Sequence, residues 1–339
     1  MTAADEGLQD SGQALCERYD VALLDLDGVV YLGGTAIPGA AEALSQAASA
    51  GMRLAYVTNN AYRTPSAVAA TLTRLGVPAS SADVVTSAQA AARLLAERLP
   101  AGARVLVIGG TGLRAAVRDR GLRPVSSAAD EPAAVVQGYS PNVGYAELAE
   151  GGLAVAAGAL FVASNVDATI PSARGRQPGN GSMVQVIVHA TGVTPLVAGK
   201  PEPPLHAESV ERTQAKRPLV VGDRLDTDIE GACRVGAASL LVFTGVSDPA
   251  DALLAPSGRR PSYLADDLSG LLVPHPAPAG GGDGWRCGGW SARWADGTLH
   301  LDGSGDRLDG LRAACAAAWA AETDQVTPDA IKPVLAKLG

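Results

Sequence analysis

Residues 21–32 read VALLDLDGVVYL: four apolar residues, then Asp25 and Asp27 on either side of Leu26, then Gly28 and a second apolar run. Side chains of an extended chain alternate between two faces, so VALL predicts a buried strand and Asp25 and Asp27 project together from its carboxyl end. Ligands of open parallel sheets bind at that edge. Two carboxylates about 4 Å apart repel by roughly 4 kcal/mol at an effective dielectric near 20, which calls for a nearby cation or a shared proton. Mg²⁺ meets that need as a hard cation held by carboxylates, waters and phosphate oxygens. A strand that merely ends in a polar loop accounts for D-x-D equally well, so the neighbouring segments have to decide.

Outward from this stretch a regular alternation follows. VVYLGGTAIP (29–38) sets a Gly-Gly pair between short apolar arms and predicts a small hairpin flap directly after the strand. A helix is expected near 39–50, stopped by Gly51, then the strand RLAYVTNN (53–60), then a helix opened by Thr64 and Pro65 and stopped by Gly76. This is the grammar of a parallel sheet. It resumes at LVAGK (196–200), PLVVGD (218–223) and ASLLVFTG (238–245). Between the two blocks, residues 87–193 contain the strands RVLVIGG, AAVVQGY and ALFVASN and read as an inserted α/β domain. The expected layout is a flexible tail over 1–17, an α/β core over 18–86 and 194–273, the insert over 87–193, a Pro- and Gly-rich linker over 274–284, and a small α+β appendage over 285–339 with Trp285, Trp290, Trp294 and an Ala-rich helix.

Bulk properties exclude several classes. A chain of 339 residues exceeds what one core organises, so two domains or one with a large insert is expected. With 47% apolar and 18% charged residues the composition is globular, and no uncharged apolar run reaches the roughly 18 residues of a membrane span. The start MTAADEGLQDSGQ lacks the basic and apolar regions of a secretory signal, which points to the cytoplasm. Cys16, Cys233, Cys287 and Cys315 lie far apart, against a zinc site or a disulfide framework. A formal charge of −8 without a local basic cluster leaves nothing to bind nucleic acid phosphates.

Three further strand ends carry polar groups. Thr58, Asn59 and Asn60 follow LAYV, where a hydroxyl, side-chain amides and backbone N–H groups can hold phosphate oxygens. Lys200 ends PLVAG and offers a point cation for the same charge. Asp223 ends LVVG and can complete a metal site, with Asp228 placed to orient it or to stabilise a helix start. Each alone is ordinary turn chemistry; together they converge only if one anionic substrate sits among them.

In order and spacing, DLDGVVY, VTNN, GKP and GDRLDTDI resemble the four motifs of the haloacid dehalogenase superfamily, and within it the 4-nitrophenylphosphatase and phosphoglycolate phosphatase branch with a large α/β cap. The resemblance covers residues 18–273. It implies a Rossmann-like parallel-sheet core, Mg²⁺ dependence and hydrolysis of small phosphomonoesters. Carried over by position, Asp25 is the nucleophile and Asp27 the general acid/base. Gly28, Thr58, Asn59, Asn60 and Lys200 hold phosphate, and Asp25, Asp27, Asp223 and Asp228 hold the metal. The tail resembles the partial acetyltransferase-like extension of some actinobacterial members, including glycerol-3-phosphate phosphatases. Glycerol 3-phosphate is therefore the first expected substrate and 2-phosphoglycolate the second, with sugar phosphates, nucleotides or pyridoxal phosphate as alternatives. A non-catalytic scaffold protein is the alternative from another class.

In the cap, Asn165, Asp167, Arg174 and Asn180 are candidates for contacts to the substrate or across a cap–cap homodimer. Gly110, Gly112 and Ala115 match a dinucleotide fingerprint, but Asp130 follows no second apolar strand, so a tight turn is the better reading. His189, His206, His275 and His300 share no ligand spacing. The tryptophans of the tail are expected to cover an apolar face of the core or of a partner.

Overall fold

The computed structural model describes residues 7–170, 174–282, 284–321 and 326–339. They form two units, one from the described residues of 7–54 and 215–339 and the other from those of 55–214.

In the first unit the strand Val21–Leu24 pairs in parallel with Pro218–Gly222, which pairs with Ala238–Val242, which pairs with Tyr263–Ala265. The residues of VALL are at most 2% exposed, as expected of a strand covered on both faces, and Val21, Leu23 and Leu24 each contribute about 1.5–3 kcal/mol. The expected flap is a hairpin of Tyr31–Leu32 with Thr35–Ala36, turned by Gly33 and Gly34, both at positive φ. The helix Ala40–Ser49 ends before Gly51 at φ 100°, which only glycine adopts without strain.

The segment after the sheet departs from expectation. Residues 274–284 do not form a free linker: Ala279–Gly281 is the first strand of an antiparallel sheet continued by Gly284–Cys287, Trp290–Ala295 and Thr298–Gly303. His275 is buried there, its Nε2 on the Gly270 carbonyl at 2.7 Å and its Nδ1 facing Arg312 Nη2 at 3.2 Å. Residues 7–17 likewise are docked rather than frayed. Gln9 N and Ser11 N donate to the Ser262 and His275 carbonyls, and Leu15 is fully buried. Backbone groups leaving a sheet need partners wherever water is excluded, and the two segments supply them to each other.

The sheet of the extension is backed by the helices Arg307–Ala320 and Pro328–Leu338. Trp290, Leu299, Leu301, Leu311, Cys315 and Val334 share one apolar core with Ile229, Leu241, Leu253 and Leu264 of the parallel sheet and its helices. Trp285, Trp294 and Trp319 pack on the same cluster, so the tryptophans do cover an apolar face of the core.

In the second unit Tyr56, Val57 and Thr58 of the strand Arg53–Thr58 pair in parallel with Val84–Thr86. The helix Pro65–Arg74 has the expected cap, Thr64 Oγ1 accepting from Ala67 N at 3.3 Å. A five-stranded parallel sheet runs in the order Leu196–Val197, Leu160–Ala163, Ala134–Gln137, Arg104–Ile108, Arg123–Val125. LVAGK was expected to open the second half of the core; its strand instead extends the insert's sheet, because Leu196 and Val197 register with Val162 and Ala163. Gly110 and Gly112 have a packing reason: a Cβ on either would overlap the segment Ala61–Arg63. Glu208, 1% exposed, is neutralised by Arg93, Arg120 and Arg212, which ties the helices Ser87–Ala96 and Pro203–Thr213 to the end of Thr111–Asp119.

Candidate active site

Asp25 follows the first strand directly, and its N–H still donates to Val221 O at 2.8 Å, continuing the ladder by one residue. The chain then turns: the N–H groups of Val29, Val30 and Tyr31 converge on Leu26 O, and Gly28, at φ 87°, donates to Tyr31 O at 2.8 Å. The adjacent parallel strand ends at Gly222, which delivers Asp223 alongside, and a single π-type turn over Leu225–Ile229 brings Asp228 back toward it. One carboxylate oxygen from each of Asp25, Asp223 and Asp228 lies within 4.8 Å of the others, with Asp223 and Asp228 fully buried.

Such a group is electrostatically expensive. At an effective dielectric near 20 each pair of charges at this separation repels by about 3 kcal/mol. A divalent hard cation with oxygen ligands removes that repulsion, so the donor set fits Mg²⁺. The surroundings keep the carboxylates tightly placed. A Cβ at Gly28 or Gly245 would overlap the Asp223 carboxylate, and one at Gly222 would overlap that of Asp228. Val246 N donates to Asp223 Oδ2 at 2.7 Å, Ser247 N to Asp223 O at 3.0 Å, and Arg224 N to Asp228 Oδ2 at 3.2 Å. Thr244 Oγ1 donates to Gly28 O at 2.5 Å, joining this loop to the turn after Asp25. Arg224 grips Asp226 through Nε at 2.9 Å and Nη2 at 2.8 Å, which holds the Asp226 carboxyl below the usual range and keeps that arginine a structural side chain.

Asp27 departs from the expectation that it shares a face with Asp25. The strand stops at Leu24, so alternation no longer governs residues 25–27; Leu26 turns inward and Asp27 is exposed. Among the described residues the carboxylate group comprises Asp25, Asp223 and Asp228 without Asp27.

The remaining expected residues meet in the second unit around Asn59. Its Oδ1 accepts from Lys200 N at 2.8 Å, and its Nδ2 donates to Lys200 O and to Asp167 Oδ2, both at 3.1 Å. Asn165 Nδ2 donates to Asn59 O at 2.7 Å, and Asn180 Nδ2 to Asn165 O at 2.7 Å. Lys200 is 4% exposed, with Nζ on Val57 O at 3.4 Å. Thr58 is buried, its Oγ1 accepting from Asn60 N at 3.1 Å, and Asn60 Oδ1 accepts from Tyr62 N at 2.9 Å. Asn59, expected to donate toward phosphate, is thus the hub that fixes the loops of Lys200, Asn165 and Asp167. Arg174 is exposed.

Sequence reasoning missed the loop Thr244–Ser247 and Ser87, whose Oγ donates to Asn59 O at 2.6 Å. The loop had a signal. It follows a strand neighbouring Pro218–Gly222, so its start must lie at the same sheet edge as Asp223.

Comparisons with known proteins agree with this geometry. Family models match for a haloacid dehalogenase-like hydrolase over residues 22–123, for a second model of that hydrolase type over 197–271, and for a GCN5-related N-acetyltransferase like domain over 287–339. The chain is 47% identical over 319 residues to a D-glycerol 3-phosphate phosphatase of Mycobacterium tuberculosis, covering 91% of this chain and 88% of that protein. It is 37% identical over 258 residues to an acid sugar phosphatase of Staphylococcus saprophyticus, covering 76% and 98%. A crystal structure of a glycerol phosphate phosphatase from Mycobacterium tuberculosis in complex with magnesium superposes with a TM-score of 0.87 at 44% identity, covering 96% of this chain and 99% of that one. A 4-nitrophenylphosphatase from Thermotoga maritima gives 0.71 at 28% identity, covering 76% and 98%. A carboxylate triad at the tip of parallel strands and a relative 47% identical over 91% of the chain lead to one assignment: the chain belongs to the haloacid dehalogenase-like hydrolase family, in its phosphatase branch.

Proposed function

We propose that the protein is a Mg²⁺-dependent phosphatase of small phosphomonoesters, with glycerol 3-phosphate as its substrate and 2-phosphoglycolate as the next best. The observation that carries the chemistry is the convergence of Asp25 with the buried pair Asp223 and Asp228. The substrate reading is supported by the 47% identical glycerol 3-phosphate phosphatase, whose match spans 91% of this chain. The acid sugar phosphatases at 37% identity support sugar phosphates as the alternative to these two.

Mg²⁺ on Asp25, Asp223 and Asp228 would neutralise phosphoryl charge, the largest electrostatic contribution in reactions of this kind. Asp25 attacks phosphorus with a carboxylate oxygen, the ester P–O bond breaks, and an aspartyl-phosphate forms. Asp27 gives its proton to the departing alkoxide, then takes one from the water that attacks the same phosphorus and frees Asp25. Its exposure leaves it able to exchange protons with solvent between the two halves. Gly28 admits the Asp223 carboxylate where any side chain would collide. Thr58, Asn60 and Lys200 hold phosphate oxygens, and Asn59 keeps Lys200 in place through both of its backbone polar groups.

In this reading residues 18–86 and 194–273 perform the chemistry, while 87–193 select the alcohol through Asn165, Asp167, Arg174 and Asn180. Tyr145, Leu153 and Val186, large exposed apolar side chains on two helices of that insert, support a homodimer through it. Among the described residues no helix is long and apolar enough to cross a membrane. The four free cysteines fit a reducing compartment, and we place the enzyme in the cytoplasm.

The test is phosphate release from glycerol 3-phosphate, 2-phosphoglycolate, sugar phosphates, nucleoside monophosphates and pyridoxal phosphate, with and without EDTA. Glycerol 3-phosphate is expected to give the highest kcat/KM, with activity lost in EDTA and restored by Mg²⁺. Turnover on none of these substrates would favour a scaffold, and metal-independent turnover would refute the Mg²⁺ site; either result overturns the proposal.

A further inference from the structure

The loop that seats Asp223 is held from behind by the C-terminal extension. It runs from Phe243, whose ring packs on the shared apolar core, through Thr244–Ser247 to Asp248, which caps the short helix Pro249–Leu253 by accepting from Ala250 N at 2.8 Å and Asp251 N at 3.0 Å. That helix rests on the helix Arg307–Ala320, where Trp319 Nε1 donates to Ala252 O at 3.0 Å. The indole also lies under the Arg260 guanidinium, 5.5 Å from the ring centroid. The turn that carries Asp228 is backed in the same way. Leu225 and Ile229, the latter adjacent to Asp228 and fully buried, belong to the cluster formed with Trp290, Leu311 and Cys315.

Both arms of the carboxylate site therefore lean on residues of the extension. The Ala252 carbonyl, near the end of a five-residue helix, accepts from Ala255 N at 3.3 Å and more closely from the Trp319 indole, so a donor from the extension adds a second hold on the helix and the loop preceding it. We propose that the extension acts as a positioning element for the divalent-ion site, with Trp319 as the residue through which it holds the Asp223-binding loop. The inference rests on the reading of Asp25, Asp223 and Asp228 as the Mg²⁺ site. It gives the region that matches an acetyltransferase-like model a part in phosphatase chemistry without any acyl transfer of its own.

The test uses the full-length chain and Trp319→Phe, which removes the indole N–H and keeps most of the apolar volume. Losing one hydrogen bond that holds the loop is expected to raise the Mg²⁺ concentration for half-maximal activity by about three- to tenfold. Calorimetric affinity for Mg²⁺ alone should fall by the same factor, while kcat at saturating Mg²⁺ stays near wild type. Trp319→Ala is expected to exceed both effects; should it fail to fold, Trp319→Phe carries the test. Val135→Ala, a core truncation in the other unit, is expected to lower the thermal midpoint while leaving Mg²⁺ affinity unchanged. If Trp319→Phe lowers the midpoint but binds Mg²⁺ as the wild type does, the extension is mere packing and the proposal is overturned. If Asp228→Asn binds Mg²⁺ like wild type, the metal reading itself fails, a result distinct from the first.

Discussion

Gly245→Ala puts the geometry of the Asp223 pocket to a direct test. Gly245 does not adopt the left-handed backbone region, so a methyl group there brings no backbone strain. The new Cβ would overlap Asp223 Oδ2 and stand 2.8 Å from Asp223 Cβ, closer than real Cβ contacts come. Rotating the carboxylate away cannot relieve a clash with its own Cβ. The loop or the aspartate has to shift, by a distance on the order of 1 Å, and misplacement of that size in a catalytic constellation costs roughly 100-fold, or about 2.7 kcal/mol of transition-state stabilisation. The hydrogen bond from Val246 N to Oδ2 is stretched by the same movement. Phosphate release as a function of Mg²⁺ and substrate concentration should show kcat/KM down by about two orders of magnitude and the Mg²⁺ requirement raised. Overpacking alone costs about 1–3 kcal/mol of stability, so thermal unfolding should show a folded protein with a lowered midpoint. Wild-type kcat/KM and an unchanged Mg²⁺ requirement in Gly245→Ala would refute the placement of Asp223 against this loop.

Three further outcomes concern groups elsewhere in the chain. Burial, reinforced by Arg312, holds the His275 pKa below its ordinary value, so the folded ring stays neutral while the unfolded chain takes up a proton near 6.5. Stability from this group is complete above about pH 6.5 and is lost as pH falls toward the lower folded value; the thermal midpoint should decline there, and His275→Asn should flatten that limb. An unchanged slope in the variant would count against it. Burial, together with Asp309, pushes the Cys287 thiol up to about 12, and burial raises Cys16 and Cys315 as well, so iodoacetamide at neutral pH should label the half-buried Cys233 first, as read by peptide mass spectrometry. Gly152, in the helix Tyr145–Ala156, has open space where a Cβ would go, and Gly152→Ala should raise stability to denaturant by about 0.5–1 kcal/mol, whereas the same change at Gly151 meets Ile108 and Ile187.

How much of this could be read from the chain depends on the range of the interactions involved. The strand Val21–Leu24, the capped helix Pro65–Arg74 and the Gly-Gly hairpin follow from alternation and turn chemistry within a few residues, and they stand where expected. Asp25 and Asp223 were recognisable because each directly follows an apolar run, and Asp228 because it lies five residues after Asp223 at a helix start. Asp27 was misplaced because alternation holds only while the chain is extended, and backbone hydrogen bonds to Leu26 O end the strand first. Leu196–Val197 was assigned to the wrong sheet because two apolar residues carry no information about which neighbour they will pair with. Asn59 looked like a phosphate donor and became a structural hub, since its partners lie 108 and 141 residues away.

The amino-acid sequence by itself determined the parallel α/β character, the acidic and polar strand ends, and with them a phosphoryl-transfer chemistry, because strand alternation, capping and motif spacing are local properties of the chain. Tertiary structure alone decided which carboxylates share a site, that the Thr244–Ser247 loop seats Asp223, and that residues 274–339 join the catalytic core instead of trailing from it. Those outcomes depend on parallel strands meeting across some 200 residues of chain and on apolar surfaces from distant segments closing over one core, and neither leaves a mark on any single stretch of sequence.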